Sequence, residues 1–270
     1  MTNVADQGQA AEGGSPPLKI LVLGGTSEAS ALAALLAGRP AFDVTLSLAG
    51  RTRAPRLGPL RTRIGGFGGP EGLAAWLAAS AIDRVIDATH PFAVRISANA
   101  ARACAQAGAT LLALRRPPWT PQAGDRWRTV ESVAACVPAL GAAPRRVFLT
   151  VGRQEVGAFA TAPQHAYLVR SIEPLDSLPL PDLAWIGARG PFSVEDEVAL
   201  MREFRTDLLV TKNAGGAATY AKIEAARRLG LPVLIVERPP VPEVPVVADA
   251  RDALAWLEAG VTAPAGSTGA

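Results

Sequence analysis

Short apolar runs recur along the chain, each followed by glycine, a small polar residue or arginine, and then by a segment with helical spacing. The first run, Ile20 to Leu23, is wholly apolar, as expected of a strand buried on both faces of a parallel sheet. Gly24 and Gly25 then permit a sharp turn, Thr26 or Ser27 can cap a helix, and residues 29–37 carry that helix. Further strands are predicted at 44–48, 82–88 and 110–114, with helices over 71–79, 94–107 and 130–140. A second series puts strands at 147–151, 166–169, 184–187, 208–210 and 233–236, and a helix over 250–257. The alternation gives an α/β fold class with two Rossmann-like, doubly wound parallel sheets.

A repeat supports the division into two. Residues 87–118, laid without gaps on 209–240, pair Thr89 with Thr211, His90 with Lys212, Gly108 with Gly230 and Arg116-Pro117-Pro118 with Arg238-Pro239-Pro240. The expected organisation is a tail over 1–17, a nucleotide-binding domain over 18–140, a substrate-binding domain over 141–259 and a tail over 260–270. Residues 138–144 serve as the linker, and the active site lies in the cleft between the domains.

Composition narrows the function. At 270 residues the chain can bury two modest cores, and its net charge of +3 is too small to imply nucleic acid. No apolar run approaches the roughly 20 residues of a membrane helix, and residues 1–17 lack the basic start and apolar core of a signal peptide. No membrane association is expected. Cys104 and Cys136 fall in apolar helical segments and read as reduced core thiols, which fits a cytoplasmic protein, monomeric or a small homo-oligomer. Lys19, Lys212 and Lys222 are the only lysines. A GC-rich genome gives that bias without functional cause, so the positions of the arginines must carry the argument.

Gly24, Gly25, Thr26, Ser27 and Glu28 form a turn and helix start able to cradle a phosphate. The spacing departs from G-x-G-x-x-G, since Thr26 and Ala29 stand at its second and third glycine positions, and a plain strand-to-helix connection is the alternative. After the second strand come Gly50, Arg51, Thr52 and Arg53, with no acid to accept from a ribose hydroxyl. Arg51, assisted by Arg53 or Thr52, suits a 2′-phosphate and favours NADPH over NADH; a solvated basic loop is the other reading. Gly65, Gly66 and Phe67 begin a second glycine-dense turn, and Thr89, His90 and Pro91 lie beyond the carboxyl end of a strand, where open sheets bind ligands. His90 can donate to a phosphate, sit against a nicotinamide or satisfy local backbone.

In the second half each predicted strand ends in a polar or basic group. Arg153, Arg170, Arg189, Lys212 and Arg238 should border one cleft, and Lys212, Asn213, Ala214, Gly215 and Gly216 read as another phosphate turn. Alternatively these cations pair with Glu155, Glu173, Glu195 and Asp196, as expected for at least two of them. His90 and His165 with two distant cysteines build no zinc site, so no metal is expected. There is no G-x-S-x-G elbow or P-loop lysine, and Tyr220 has Glu224 four residues on, where short-chain dehydrogenases need lysine.

The motifs Leu-Gly-Gly-Thr-Ser-Glu (23–28), Gly-Gly-Phe-Gly-Gly (65–69), Asp-Ala-Thr-His-Pro-Phe-Ala (87–93), Arg-Pro-Pro-Trp (116–119), Gly-Pro-Phe-Ser (190–193) and Thr-Lys-Asn-Ala-Gly-Gly (211–216) together closely resemble the precorrin-6A reductase family. The resemblance implies NADPH-dependent reduction of one double bond of precorrin-6A, giving precorrin-6B in cobalamin biosynthesis. The substrate is then a polycarboxylate tetrapyrrole, held by Arg153, Arg170, Arg189, Ser193 and Lys212. NADPH would lie on the first domain, with His90 and the Lys212 to Gly216 turn facing the nicotinamide from opposite sides and Lys212 stabilising developing charge. Cobalt-precorrin-6A reductases share these motifs, so the metallated macrocycle stays open. A non-catalytic, nucleotide-responsive module is the rival from another class.

Overall fold

The computed structural model describes residues 16–50, 60–175, 177 and 179–262. The chain runs β1 (Leu18–Leu23), α1 (Ser27–Leu36), β2 (Phe42–Leu48), β3 (Arg61–Ile64), α2 (Pro70–Ala79), β4 (Arg84–Asp87), α3 (Val94–Ala107) and β5 (Thr110–Leu114). It continues through β6 (Arg126–Val130), α4 (Val133–Leu140), β7 (Arg146–Thr150), a 3-10 helix (Arg153–Thr161), β8 (Ala166–Ser171) and β9 (Leu183–Gly187). Last come α5 (Val194–Glu203), β10 (Leu208–Lys212), α6 (Ala221–Arg228), β11 (Pro232–Val236), β12 (Val246–Val247) and α7 (Ala250–Thr262).

These strands form two six-stranded sheets, in the orders β12-β5-β4-β1-β2-β3 and β6-β11-β10-β7-β8-β9. Every pairing is parallel. Parallel pairing needs helical crossovers, and these cover both faces, which explains the unbroken burial of Ile20, Leu21 and Val22 in β1 and of Val147, Phe148 and Leu149 in β7. On α1 the buried positions Ala29, Leu32, Ala33 and Leu36 follow the helical period, and each buried leucine contributes roughly 1.5–3 kcal/mol. Cys104 and Cys136 are free and buried. Burial, with Asp87 beside the first and Glu155 beside the second, raises both thiols to about 11, which leaves them unreactive.

Both sheets have the order 3-2-1-4-5-6, but in each the sixth strand is supplied by the other half of the chain. After β5 the segment Arg115 to Trp119 carries the chain to the second sheet, where β6 pairs with β11 and α4 joins the second core. After β11 the chain returns, β12 pairs with β5, and Ala253, Leu254 and Leu257 of α7 complete the first core. The expected division at residues 140 and 141 therefore differs from sheet membership. The Arg-Pro-Pro segments are the crossings, because a proline pair holds the backbone extended and cannot continue a helix. Two edge strands escape the periodicity: β3 (Arg-Thr-Arg-Ile) and β6 (Arg-Trp-Arg-Thr-Val) alternate charge with bulk. The helix expected from residue 130 begins only at Val133, capped by Ser132, whose Oγ accepts from Ala135 N at 3.1 Å. At the other end α7 runs to Thr262, past the point where a tail was expected.

Candidate active site

At the end of β1 the backbone N–H of Gly24 donates to Ser47 O at 2.9 Å. A Cβ on Gly24 would lie 2.7 Å from Leu46 Cδ1, so this glycine lets the turn pack on β2. Gly25, at φ +116°, has nothing within 4 Å of where a Cβ would stand. Thr26 rather than Ser27 is the cap: its Oγ1 accepts from Ala29 N at 3.1 Å and donates to Ala88 O at 2.8 Å. That hydroxyl ties the start of α1 to β4 and is spent within the fold.

The second glycine turn is shaped by an arginine that sequence reading passed over. Arg63 donates to Ser47 Oγ at 3.0 Å, Gly65 O at 2.9 Å and Gly66 O at 3.0 Å, and its guanidinium lies 3.7 Å from the Phe67 ring centroid. Gly72 supports the turn from below, since a Cβ there would meet Phe67 O at 1.9 Å. Beside Gly65 and Gly66 a Cβ would meet nothing within 4 Å. Gly50 packs against Ile64 Cγ2, 3.2 Å from its would-be Cβ. Arg51, Thr52 and Arg53 lie outside the described residues.

At the end of β4, Asp87 is only 4% exposed and anchors the loop that follows. It accepts from Thr89 N at 3.1 Å, Thr89 Oγ1 at 2.6 Å and Ser97 Oγ at 2.6 Å, with the Arg115 guanidinium at 3.7 Å. This holds Thr89, His90 and Pro91 over the sheet edge. The His90 ring accepts from Phe92 N–H through Nδ1 at 3.3 Å, so its proton belongs on Nε2. Burial, reinforced by the charges of Arg116, Lys212, Arg238 and Lys222, lowers its pKa to about 4. His90 is neutral at physiological pH, a hydrogen-bond donor rather than an acid.

The two sheets meet at these edges. Lys212 at the end of β10 pairs with Glu155, and its Nζ lies 4.9 Å from the centroid of Phe92, the residue in ring contact with His90. Arg116 on the outgoing crossing bonds Glu28 Oε2 at 2.5 Å in the first domain and Ala214 O at 2.8 Å in the second. Burial raises the Glu28 carboxyl, but its own backbone N–H and Arg116 outweigh that and leave it below its usual value. Arg238 on the returning crossing donates to Arg116 O at 2.8 Å, Asn213 O at 3.0 Å and Ala214 O at 3.0 Å. Burial and the charges of Arg116 and Arg115 pull its pKa down to about 10.

The second domain's glycine turn is filled. A Cβ on Gly215 would lie 2.0 Å from Pro117 O, and one on Gly216 would lie 2.5 Å from Arg116 Cδ. Asn213 accepts from Trp119 N at 2.7 Å and donates to Trp119 O at 3.0 Å, while Trp119 Nε1 donates to Gly216 O at 2.8 Å. Lys222, buried beneath, donates to Thr219 O at 2.8 Å and faces the Trp119 ring at 5.0 Å. Asn213, Gly215 and Gly216, read from the sequence as part of a phosphate turn, seat the crossing through these contacts.

The expected row of free cations also divides. Arg170 is 8% exposed, pairs with Glu197 and lies 3.8 Å from the Phe192 centroid, so its guanidinium is consumed in the second core. Ser193 caps α5, accepting from Asp196 N at 3.1 Å and donating to Asp196 Oδ2 at 2.6 Å. Arg153 and Arg189 are exposed at the carboxyl ends of β7 and β9. Glu155 and Arg116 were the legible partners: one stood among the acids weighed against the cations, and the other in the repeated Arg-Pro-Pro. Among the described residues, no cluster of three or more His, Cys, Asp or Glu could hold a metal ion. No described helix is long and apolar enough to cross a membrane.

The family described as precorrin-6x reductase CbiJ/CobK matches residues 19–258. The chain is 53% identical over 237 residues to a precorrin-6A reductase of Sinorhizobium sp, covering 87% of this chain and 91% of that protein. A cobalt-precorrin-6A reductase of Methanothermobacter thermautotrophicus is 31% identical over 235 residues, covering 83% of this chain and 78% of that protein. A solved structure titled CobK precorrin-6A reductase superposes with a TM-score of 0.85 at 50% identity, covering 93% of this chain and all of that one.

Proposed function

The chain belongs to the precorrin-6x reductase family, and from that premise we propose that it reduces one double bond of precorrin-6A with NADPH, giving precorrin-6B in cobalamin biosynthesis. The observation that carries this reading is the meeting of two carboxyl edges of which only one keeps open glycine turns, at Gly25 and at Gly65-Gly66. Those turns fit a dinucleotide: they leave room for close backbone approach, the start of α1 favours an anion, and residues 47–50 carry no acid against a 2′-phosphate. Gly24, Gly25, Thr26, Ser27 and Glu28 would hold the pyrophosphate region through backbone. Gly65, Gly66 and Phe67 would flank it, and Gly50, Arg51 and Thr52 would take the phosphorylated ribose. NADPH, when bound, supplies the hydride.

The protein's own part is position and charge. Asp87 fixes the loop from which Thr89, His90 and Pro91 face the cleft, and His90 offers Nε2–H as a donor without becoming an imidazolium. Lys212, held by Glu155 beside the Phe92 ring, sits where negative charge develops on the macrocycle, and water completes the reduction by protonating the neighbouring carbon. Arg153 and Arg189 meet substrate carboxylates with charge-assisted bonds, while Arg170 and Ser193 shape the domain that presents them. The higher identity to the metal-free reductase than to the cobalt one supports precorrin-6A as substrate.

The test is NADPH oxidation by purified protein with precorrin-6A, run beside NADH, beside the cobalt macrocycle and with Arg51→Ala. Oxidation that requires precorrin-6A, prefers NADPH and loses that preference in the variant is the expected result. NADPH binding without oxidation on either macrocycle would overturn the reading in favour of a regulatory module. Lys212→Ala should lower turnover; an unchanged rate would remove Lys212 from the mechanism.

A further inference from the structure

The carboxyl edge of the second sheet carries an apolar feature that its cations do not explain. Trp185 on the outer strand β9 is 42% exposed, and Ile172, just beyond β8, is 49% exposed. The indole is held in a fixed orientation. Its Nε1 donates to Ser171 Oγ at 2.9 Å, and Ser171 Oγ donates onward to Glu173 O at 2.6 Å. Its six-membered ring lies over Gly187, where a Cβ would come within 2.8 Å of Cη2 and 2.9 Å of Cζ2. Glycine at 187 is thus what lets the ring lie along the strand toward the carboxyl edge. An exposed aromatic immobilised in this way is the form taken by a surface that a ligand covers.

Its neighbours identify the ligand. Arg189 follows Gly187 by two residues, and Arg153 follows β7, which pairs with β8 on one side and with Lys212's strand β10 on the other. From β7 to β9 is two strand spacings, about 10 Å. The edge therefore offers, in order, a lysine, an arginine, a flat apolar platform and a second arginine. That order complements a conjugated ring with carboxylates on its rim, not a nucleotide or an acidic peptide alone.

We propose that Trp185 is a substrate-positioning residue, stacking on the conjugated face of the macrocycle while Arg153 and Arg189 meet its peripheral carboxylates. The proposal rests on the reductase reading above. The experiment is steady-state kinetics of wild type, Trp185→Ala, Trp185→Phe and Gly187→Ala, varying precorrin-6A and NADPH separately, with sedimentation of each protein. Wild-type turnover tests the reductase reading by itself. Given that turnover, Trp185→Ala is expected to raise KM for precorrin-6A about tenfold and leave KM for NADPH unchanged, with Trp185→Phe largely restoring it. Gly187→Ala, which displaces the ring without removing it, is expected to raise the same KM. An unchanged KM for precorrin-6A in Trp185→Ala would overturn the platform while leaving the reductase reading intact. So would a change of oligomeric state in its place, which would give the patch to a second copy of the chain.

Discussion

The two domains share one strand order and use its carboxyl edge in opposite ways. In the first, the space beside Gly25, Gly65 and Gly66 is open; in the second, the space beside Gly215 and Gly216 holds Pro117 and Arg116 of the crossing segment. All three turns follow a parallel strand, and Gly25, Gly65, Gly215 and Gly216 all have positive φ. Glycine in such a turn therefore marks a close approach without saying by what. One edge keeps open space beside its glycines, and the other is the seat of an interdomain strap, with Arg116 and Arg238 hydrogen-bonded along it.

The largest expected effect tests the filled turn. Gly215→Ala places a methyl 2.0 Å from a backbone oxygen at φ +69°, and the combined overpacking and backbone strain should cost roughly 3–5 kcal/mol in denaturant unfolding. An unchanged midpoint would mean that the crossing is not seated there. Next in size is the exchange of terminal segments. Leu140 and Leu257 are both fully buried, Leu140 in the second core, across the crossing from β1 to β5, and Leu257 in the first core, across the crossing from β7 to β11. Leu257→Ala and Leu140→Ala should each cost about 2–4 kcal/mol. Hydrogen exchange should speed up around β1 and β5 for the first variant and around β7 and β11 for the second.

Much of this was legible from the chain. The wholly apolar run from Ile20 to Leu23 announced two-sided burial, and the matched Arg-Pro-Pro positions supported the repeat. The exchange of β6 and β12 was not, because strand pairing at a sheet edge depends on which sheet the crossing reaches, and no local pattern encodes that. The same limit applied to the site. Strand ends correctly collected Lys212, Arg153, Arg170 and Arg189 on one sheet, but a sequence does not say that Glu197 on α5 returns to neutralise Arg170 inside the core. Glu155, three residues after Gly152, was the acid to be matched with Lys212, and proximity in sequence to the adjoining strand β7 was the available signal.

A smaller effect separates the open edge by charge. His90 has a native pKa near 4 against an ordinary 6.5, lowered first by burial and then by the cations of both crossings and of β10 and α6. Below pH 6.5 the unfolded chain takes up this proton before the native protein does. The stability associated with the neutral ring is therefore fully present above pH 6.5 and is lost as pH falls toward 4, by up to about 3 kcal/mol. His90→Asn should flatten the stability profile in that window. His165, whose pKa is also lowered by burial, stays in both proteins and cancels from the difference. A variant profile parallel to wild type would show that neither burial nor the surrounding cations shift His90.

The smallest expected change in stability gives the sharpest division between the two edges. Gly66 has no positive φ, and a Cβ there meets nothing within 4 Å, so Gly66→Ala should alter unfolding by no more than about 0.5 kcal/mol and could even stabilise through the unfolded chain. A methyl on that surface nevertheless occupies space the dinucleotide would use. Under the proposed function, KM for NADPH should rise about tenfold, equivalent to about 1.4 kcal/mol of binding, while KM for precorrin-6A holds. Gly215→Ala, by contrast, acts first on the stability of the fold, so its kinetics would not report on a ligand alone. If Gly66→Ala left both KM values unchanged, the openness at Gly65-Gly66 would be solvent space only. The dinucleotide would then have to rest on Gly24 to Glu28 and the loop from Thr89, which the methyl does not reach.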